Sequence, residues 1–301
     1  MSYSNLKGVG VGFRDRHFDD ILEENHGVKW FELLTENHLT VDSIAFYRAE
    51  KIREDFPVTL HGVGMSLGST DPLNQDYMKK LKVLISRIQP ELVSDHLAWV
   101  SHEGVYGHEL LPLPYNEETL QHLVCRISQA QELLGRSLVI ENPSSYLSFA
   151  HSEMSEAEFL TQLVTMSGCD LLLDINNLHI SATNLGFDAM DYLQTLDANK
   201  IKQIHLAGYD IQAGGEGTQF LFDTHGFPVR EPVWQLYEKA VSLYGRIPTL
   251  IEWDTDIPVF NTLVQEAERA QNRLDSAARP ELPEGHGAKR REIEKNEFRV
   301  A

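Results

Sequence analysis

The chain has 301 residues and a mass of 34.2 kDa, with 42% hydrophobic residues and a mean hydropathy of −0.29, which describes a globular protein with room for one large core or two ordinary ones. Its 26 Lys+Arg against 45 Asp+Glu leave a formal net charge of −19, which repels phosphate backbones and anionic lipid, so neither nucleic acid nor a membrane surface is expected as a partner. Thirteen His with only two Cys exclude a disulfide scaffold, a four-Cys zinc site and a Cys-ligated iron–sulfur cluster, and leave imidazole and carboxylate as the chemistry available.

The first residues, MSYSNLKGVGVGF, lack a basic segment followed by an apolar one, and no run approaches the ~18 apolar residues of a membrane span. A cytoplasmic protein is expected. Short apolar runs then recur along the chain: GVGVGF (8–13), WFELLTEN (30–37), VTLHGV (58–63), LVSDHLAW (92–99), LVIENP (138–143), LLLDINN (171–177), IKQIHLAG (201–208) and PTLIEWD (248–254). The stretches between them keep helical period and carry start signals. Asp71-Pro72 predicts an N-cap and first helical position for a helix reaching Gln89. After Asn116, Leu120, Leu123, Val124, Ile127 and Leu134 form one buried stripe, and Ser155 to Glu158 fits a capping box. Cys125, in a helical pattern, and Cys169, before an apolar run, are expected as reduced structural thiols. Eight strands each followed by a helix predict an α/β fold, a (β/α)8 barrel over residues 1–278. Residues 279–301 hold six basic against five acidic residues and almost no apolar periodicity, which predicts a flexible tail or a linker and puts −20 on the barrel.

The polar residues fall at the ends of these runs. Glu36 and Asn37, His61, Asp95 and His96, Glu141 and Asn142, Asp174, Asn176 and Asn177, His205, and Glu252 and Asp254 all occupy such places. Any one of them could simply cap the next helix. In a barrel, however, these ends converge on the face that carries active sites, and so many buried carboxylates need cations. Three imidazoles (His61, His96, His205) and three carboxylates (Glu141, Asp174, Glu252) can hold two divalent ions with one carboxylate bridging; iron, manganese and zinc all suit such ligands. After the seventh strand, a long glycine-containing connection centres on Asp223-Thr224-His225, where an acid and an imidazole two residues apart can share a cation over the barrel mouth. HGVGMSLGS (61–69) matches no phosphate-binding spacing and reads as a tight turn beside His61. His179 either borders the pocket or belongs to a helix face, while His102 and His108 are expected in a solvent-exposed loop. No Gly-x-Ser-x-Gly elbow occurs, and neither Cys sits beside a His and Asp set, so a thiol nucleophile is not expected.

Taken in order, WFELLTEN, LHGVGMSLGS, LVSDHLAW, LLPLPY, IENPSSY, LLLDINN, IHLAG, DTH and IEWD resemble the multinuclear non-heme iron-dependent oxidases, a family once catalogued as uncharacterised and typified by the methanobactin-biosynthesis oxidase. The likeness runs from about Gly8 to about Ala270. It implies a xylose isomerase-like barrel with two or three irons of mixed Fe(II)/Fe(III) state. His61, His96, Glu141, Asp174, His205 and Glu252 would hold the pair, and Asn177, Asp223 and His225 a third, more labile ion. It further implies O2 as co-substrate, a cysteine-containing ribosomal precursor peptide converted to oxazolone–thioamide or related products, and a partner protein that presents the peptide. Glu36, Asn37, Asn142 and His179 would border the substrate. Two other classes compete: a divalent-metal hydrolase or isomerase on the same barrel, and a non-catalytic metal-binding protein. The acidic barrel disfavours a nuclease, and no strand end supplies the lysine that an isomerase would want.

Overall fold

A computed structural model describes residues 6–23, 26–213 and 219–278. The expected tail at 279–301 lies outside them, as do residues 214–218 and the His108 side chain. Eight parallel strands close into a barrel: β1 (Val9–Gly12), β2 (Phe31–Leu34), β3 (Val58–Gly62), β4 (Val93–His96), β7 (Val139–Glu141), β8 (Asp170–Asp174), β9 (Ile201–Leu206) and β12 (Thr249–Ile251). They follow one another around the ring in chain order, and β12 returns to pair with β1. Each of the eight predicted runs supplies one strand. The remaining strands form two antiparallel hairpins on the connections, β5 (Trp99–His102) with β6 (Val105–Leu111) and β10 (Asp210–Ala213) with β11 (Gln219–Phe222). The loop expected around His102 is therefore a hairpin, with exposed His102 at the end of β5.

The helices among the described residues are α1 (Phe18–Glu23), α2 (Ile44–Asp55), α3 (Gln75–Ile88), α4 (Glu117–Leu134), α5 (Glu156–Ser167), α6 (Ile175–Leu185), α7 (Ala189–Thr195), α8 (Glu231–Tyr244) and α9 (Phe260–Ala277). None is long and apolar enough to cross a membrane. Asn116 caps α4, and Leu120, Leu123, Ile127 and Leu134 are buried along one stripe as expected, with Val124 at its edge. The Ser155–Glu158 capping box is present on α5. The start of α3 differs from expectation. Asn74, not Asp71, caps it by accepting from the backbone of Asp76 and Tyr77. Asp71 instead accepts the Gly104 amide across the β5–β6 turn, because two oxygen-bearing side chains three residues apart were equally able to cap and the hairpin engaged one of them. Cys169 is buried, but Cys125 lies on the exposed side of α4 and takes no part in its core.

Side chains alternate across each strand. Outward residues such as Phe31, Leu33, Val58, Leu60, Ile204 and Leu206 join helix residues in one continuous apolar mantle. Inside the barrel a separate small cluster of Leu6, Trp30, Leu92, Val139, Leu172 and Leu250 fills the amino-terminal end. A Cβ on Gly10 would lie 2.4 Å from the Trp30 ring, so Gly10 on β1 makes room for the largest residue of this plug. Above the plug the inward positions turn polar.

Candidate metal centre

The strand register brings the polar ends together. His96 on β4 is paired with Glu141 on β7, and Asp174 on β8 with His205 on β9. Two buried groups of possible metal donors result: His61, His96 and Glu141, and Glu141, Asp174, His205 and Glu252, with the donor atoms of each group within 4.8 Å of one another. Glu141 belongs to both. His225, Glu252 and Asp254 form a third group at the more exposed edge. All six residues expected to hold a pair of ions thus lie in one continuous cluster, and no sulfur ligand joins any of the groups among the described residues.

Glu141 Oε2 stands 3.1 Å from His61 Nε2 and 3.2 Å from His96 Nε2. Burial would depress the His61 imidazolium, but Glu141 outweighs it and lifts the group to about 10. Burial would raise Glu141, yet His96 and His61 hold it down at about 2. His96 moves the other way from His61, lowered by burial and by the charge on His61, so the shared carboxylate supports one protonated ring of the two. His205 and His225 are raised well above the ordinary histidine range, against burial, by Glu32 and Glu252 and by Asp223 and Glu252 respectively. Burial pushes Asp174 well above the carboxylate range. Positive charge on His61, His205 and His225 balances the acids here, and divalent cations would replace those protons.

The outer contacts orient the rings. His61 Nδ1 meets Ser94 Oγ at 2.8 Å, and His96 Nδ1 the Gly62 carbonyl at 3.0 Å. His205 Nδ1 meets Glu252 Oε2 at 3.1 Å, while its Nε2 lies 3.2 Å from Glu32 Oε1. Glu32 Oε2 in turn accepts from Thr59 at 2.8 Å and from Gln203 at 2.6 Å. Glu32 is a member of this cluster that the strand-end pattern missed, since it lies inside the run WFELLTEN instead of at its end. Its signal was a lone charge within an otherwise apolar strand. Asp254, a strand-end acid without an expected role, pairs with Arg14, and its Oδ2 meets His225 Nδ1 at 3.1 Å.

The remaining expected residues divide. Asn142 exchanges hydrogen bonds with the Asp174 backbone and so fixes β7 to β8. Asn177, in the first turn of α6, gives its backbone N–H to Asp174 Oδ1 and its side-chain amide to the Asn142 carbonyl. The side chain that reaches Asp223 is Asn176, at 3.1 Å, and Asp223 also lies 2.8 Å from His225 Nε2. Glu36 stands in the 3-10 turn after β2 and accepts from the Val63 and Gly64 amides and from Tyr77, pinning the turn that follows His61. A Cβ on Gly64 would approach Glu36 Oε1 to 2.9 Å, which is why that turn carries glycine. Buried Asp95, pushed up by burial and by Glu36, holds the same turn through the Met65 amide. Asn37 is exposed, and half-buried His179 meets the Tyr209 hydroxyl at 3.2 Å and belongs to none of the donor groups.

The cluster fits metal ions on its own evidence. Asp174 Oδ2 and Asn177 Oδ1 are buried oxygens without a hydrogen-bond partner, and such atoms are costly unless something satisfies them; Glu141 Oε2 and His225 Nε2 have ion-pair contacts with their charged neighbours but no well-formed hydrogen bond. The space bounded by Glu32, His61, Glu252 and Asp254 is only about 10 Å³, which suits an ion or a water and not the body of a substrate.

Solved structures with the same fold include L-ribulose 3-epimerase (TM-score 0.59, 14% identity, covering 90% of this chain and 96% of that one). Endonuclease IV from Thermus thermophilus (0.56, 14%, 90% and 100%) and the IOLI protein with a bound zinc atom (0.56, 12%, 90% and 99%) share it too. At these identities the likeness establishes the xylose isomerase-like TIM barrel and nothing finer. Among sequences, a UPF0276 protein of Acaryochloris marina is 51% identical over 274 residues, spanning 91% of this chain and 97% of its own. Another, from Anaeromyxobacter sp., is 48% identical over 280 residues, spanning 93% and 97%. Residues 8–275 match the family described as RiPP precursor modification enzyme MbnB/TglH/ChrH, RiPP denoting ribosomally synthesised and post-translationally modified peptides. The chain belongs to this family of precursor-modifying enzymes.

Proposed function

We propose that the protein is an iron-dependent oxidase that uses O2 to modify a cysteine of a ribosomal precursor peptide, through oxazolone–thioamide or related chemistry, in the cytoplasm and with a partner protein that presents the peptide. The observation that carries the metal part of this reading is the convergence of buried imidazoles and acids on Glu141, with an Asp174 oxygen among them that has no hydrogen-bond partner. Family membership supports the peptide substrate. His61, His96 and Glu141 would hold one ion, and Glu141, Asp174, His205 and Glu252 a second, with Glu141 bridging. His225, with Asp223 or with Glu252 and Asp254, would hold a third at the open edge, where weaker enclosure makes it the easiest to lose; Asn177 Oδ1 remains a further donor.

Bound iron would supply the redox capacity and Lewis acidity that a thiol-to-oxygen electron transfer requires. The chain's own residues do the rest. Glu32 and Gln203 hold the His205 ring, and Ser94 and the Gly62 carbonyl hold the rings of His61 and His96. Arg14 keeps Asp254 beside His225. The enzyme's thiols stay out of reach, since buried Cys169, its thiol raised to about 11, and exposed Cys125 belong to no donor group. Residues 1–278 act as one metal-binding unit in this reading.

The test is purification from iron-supplemented cells with metal analysis, followed by incubation with a cysteine-containing precursor peptide and its partner. About two to three irons per chain, oxygen uptake and a changed peptide mass are expected. Stoichiometric zinc with neither oxygen uptake nor a mass change would favour a hydrolase instead.

A further inference from the structure

An apolar cavity of about 390 Å³ lies to one side of the centre and shares none of its donor residues. Leu113, Leu147, Phe149, Met154, Leu185 and Phe187 supply much of its wall. The ionisable lining groups other than tyrosine are all acids, Glu156 with Asp188 and Asp191, and no Lys, Arg or His is among them. Glu156 is half-buried at the start of α5. Its Oε2 accepts from the Tyr115 hydroxyl at 2.5 Å and its Oε1 from the Tyr192 hydroxyl at 2.7 Å. Each carboxylate oxygen has a second lone pair, and no described basic side chain forms an ion pair with this group. Burial pushes its carboxyl upward while the two hydroxyls oppose the rise, so a cation entering the cavity would favour the charged form. The Tyr192 ring stacks with Phe187 at 6.1 Å, adding aromatic faces that attract a cation.

The cavity is joined to the centre by one stretch of chain. Ser144 Oγ donates to Asp223 Oδ2 at 2.9 Å, and the next residue, Ser145, lines the cavity and gives its amide to Ser181 Oγ at 2.8 Å. Asn142 beside Asp174 and Leu147 in the cavity wall are five residues apart, at most about 18 Å. An extended peptide lying along this stretch would cover that distance in about five residues.

We infer that this cavity receives a lysine or arginine side chain of the precursor peptide, its aliphatic stem against Leu147, Phe149 and Phe187 and its charged head on Glu156, within about five residues of the position modified at the centre. This rests on the peptide-modifying reading above. Asp188 and Asp191, both exposed, extend the acidic character of the cavity to its rim, in keeping with the net charge of −19. A Tyr–Glu–Tyr clamp that merely tied three segments together would need neither an open apolar cavity nor further acids around it.

The test is equilibrium binding, by fluorescence polarisation, of short acetylated peptides to the full chain. Each peptide carries one cysteine and one lysine, at every spacing up to about five residues, and a matched set has norleucine for lysine. Lysine peptides of a preferred spacing should bind about tenfold tighter than their norleucine partners, and E156Q should abolish that preference while leaving norleucine binding unchanged. F187A, at the rim, should weaken both sets. Thermal melting of E156Q separates a folding defect from a lost contact, and D191N, an exposed substitution, should reduce the preference part of the way. Equal binding of the two sets, no binding of any lysine peptide, or a lysine preference that survives in folded E156Q overturns the inference. The readout needs no turnover, so an enzyme that fails to consume oxygen yet keeps the lysine preference would refute the oxidase reading alone. One that modifies its peptide but shows no preference would refute only the cavity.

Discussion

On β3, Val58 and Leu60 press outward into the apolar mantle while Thr59 and His61 point into the barrel; on β9, Ile204 and Leu206 repeat the outward pattern against inward Gln203 and His205. The same strands therefore carry two opposite chemistries. The mantle is non-directional, tolerates exchange among residues of similar volume, and supplies the stability that burying apolar area provides. The upper interior draws together six acids and four imidazoles whose charges must balance one another or metal ions, a concentration of charge held at the expense of stability. The mantle makes such a concentration of charge tolerable, and the apolar plug below it closes the barrel floor.

Substitutions can separate the two regions. The largest effect is expected from E141Q, because Glu141 serves both buried donor groups: metal content should fall by more than about 100-fold in affinity and activity should vanish, as measured by metal analysis and peptide mass. Next, L60A, at a fully buried mantle position, should cost about 2–5 kcal/mol in denaturant unfolding while metal per folded molecule stays unchanged. If L60A also emptied the centre, the division between mantle and interior would be broken. E32Q removes the acid that faces His205 Nε2 but no donor of the three groups, so metal affinity should drop by about 10–100-fold with the fold intact. The smallest effect belongs to S155A, which deletes the α5 cap: about 1 kcal/mol of stability, with metal content unaltered.

Much of the centre was legible because strands buried on both faces need unbroken apolar runs, so a His or acid closing such a run is conspicuous. His61, His96, Glu141, Asp174, His205 and Glu252 all stood out in this way, and the structure brings them into one cluster. Glu32 did not, because a charge inside a run has no meaning until its partners are known, and Gln203 lies 171 residues away. Asn176 and Asn177 could not be told apart as adjacent amides. The turn from β8 into α6 sends one to Asp223 and the other to Asn142. The cap of α3 fell to Asn74 and not Asp71 for a similar reason, since a hairpin amide from Gly104 claimed Asp71.

By itself, then, the sequence determined the eightfold alternation, the polarity of the strand ends and the preference for imidazole and carboxylate over thiolate, because these follow from local pattern and composition. Only the tertiary structure decided that Glu32 lies beneath the centre, that Asp254 joins His225 at its edge, and that Glu156 opens into an acidic, apolar cavity one residue from the Asp223 contact. Each of these depends on charges and hydrogen bonds between residues distant in the chain, and their partners exist only once the barrel has closed.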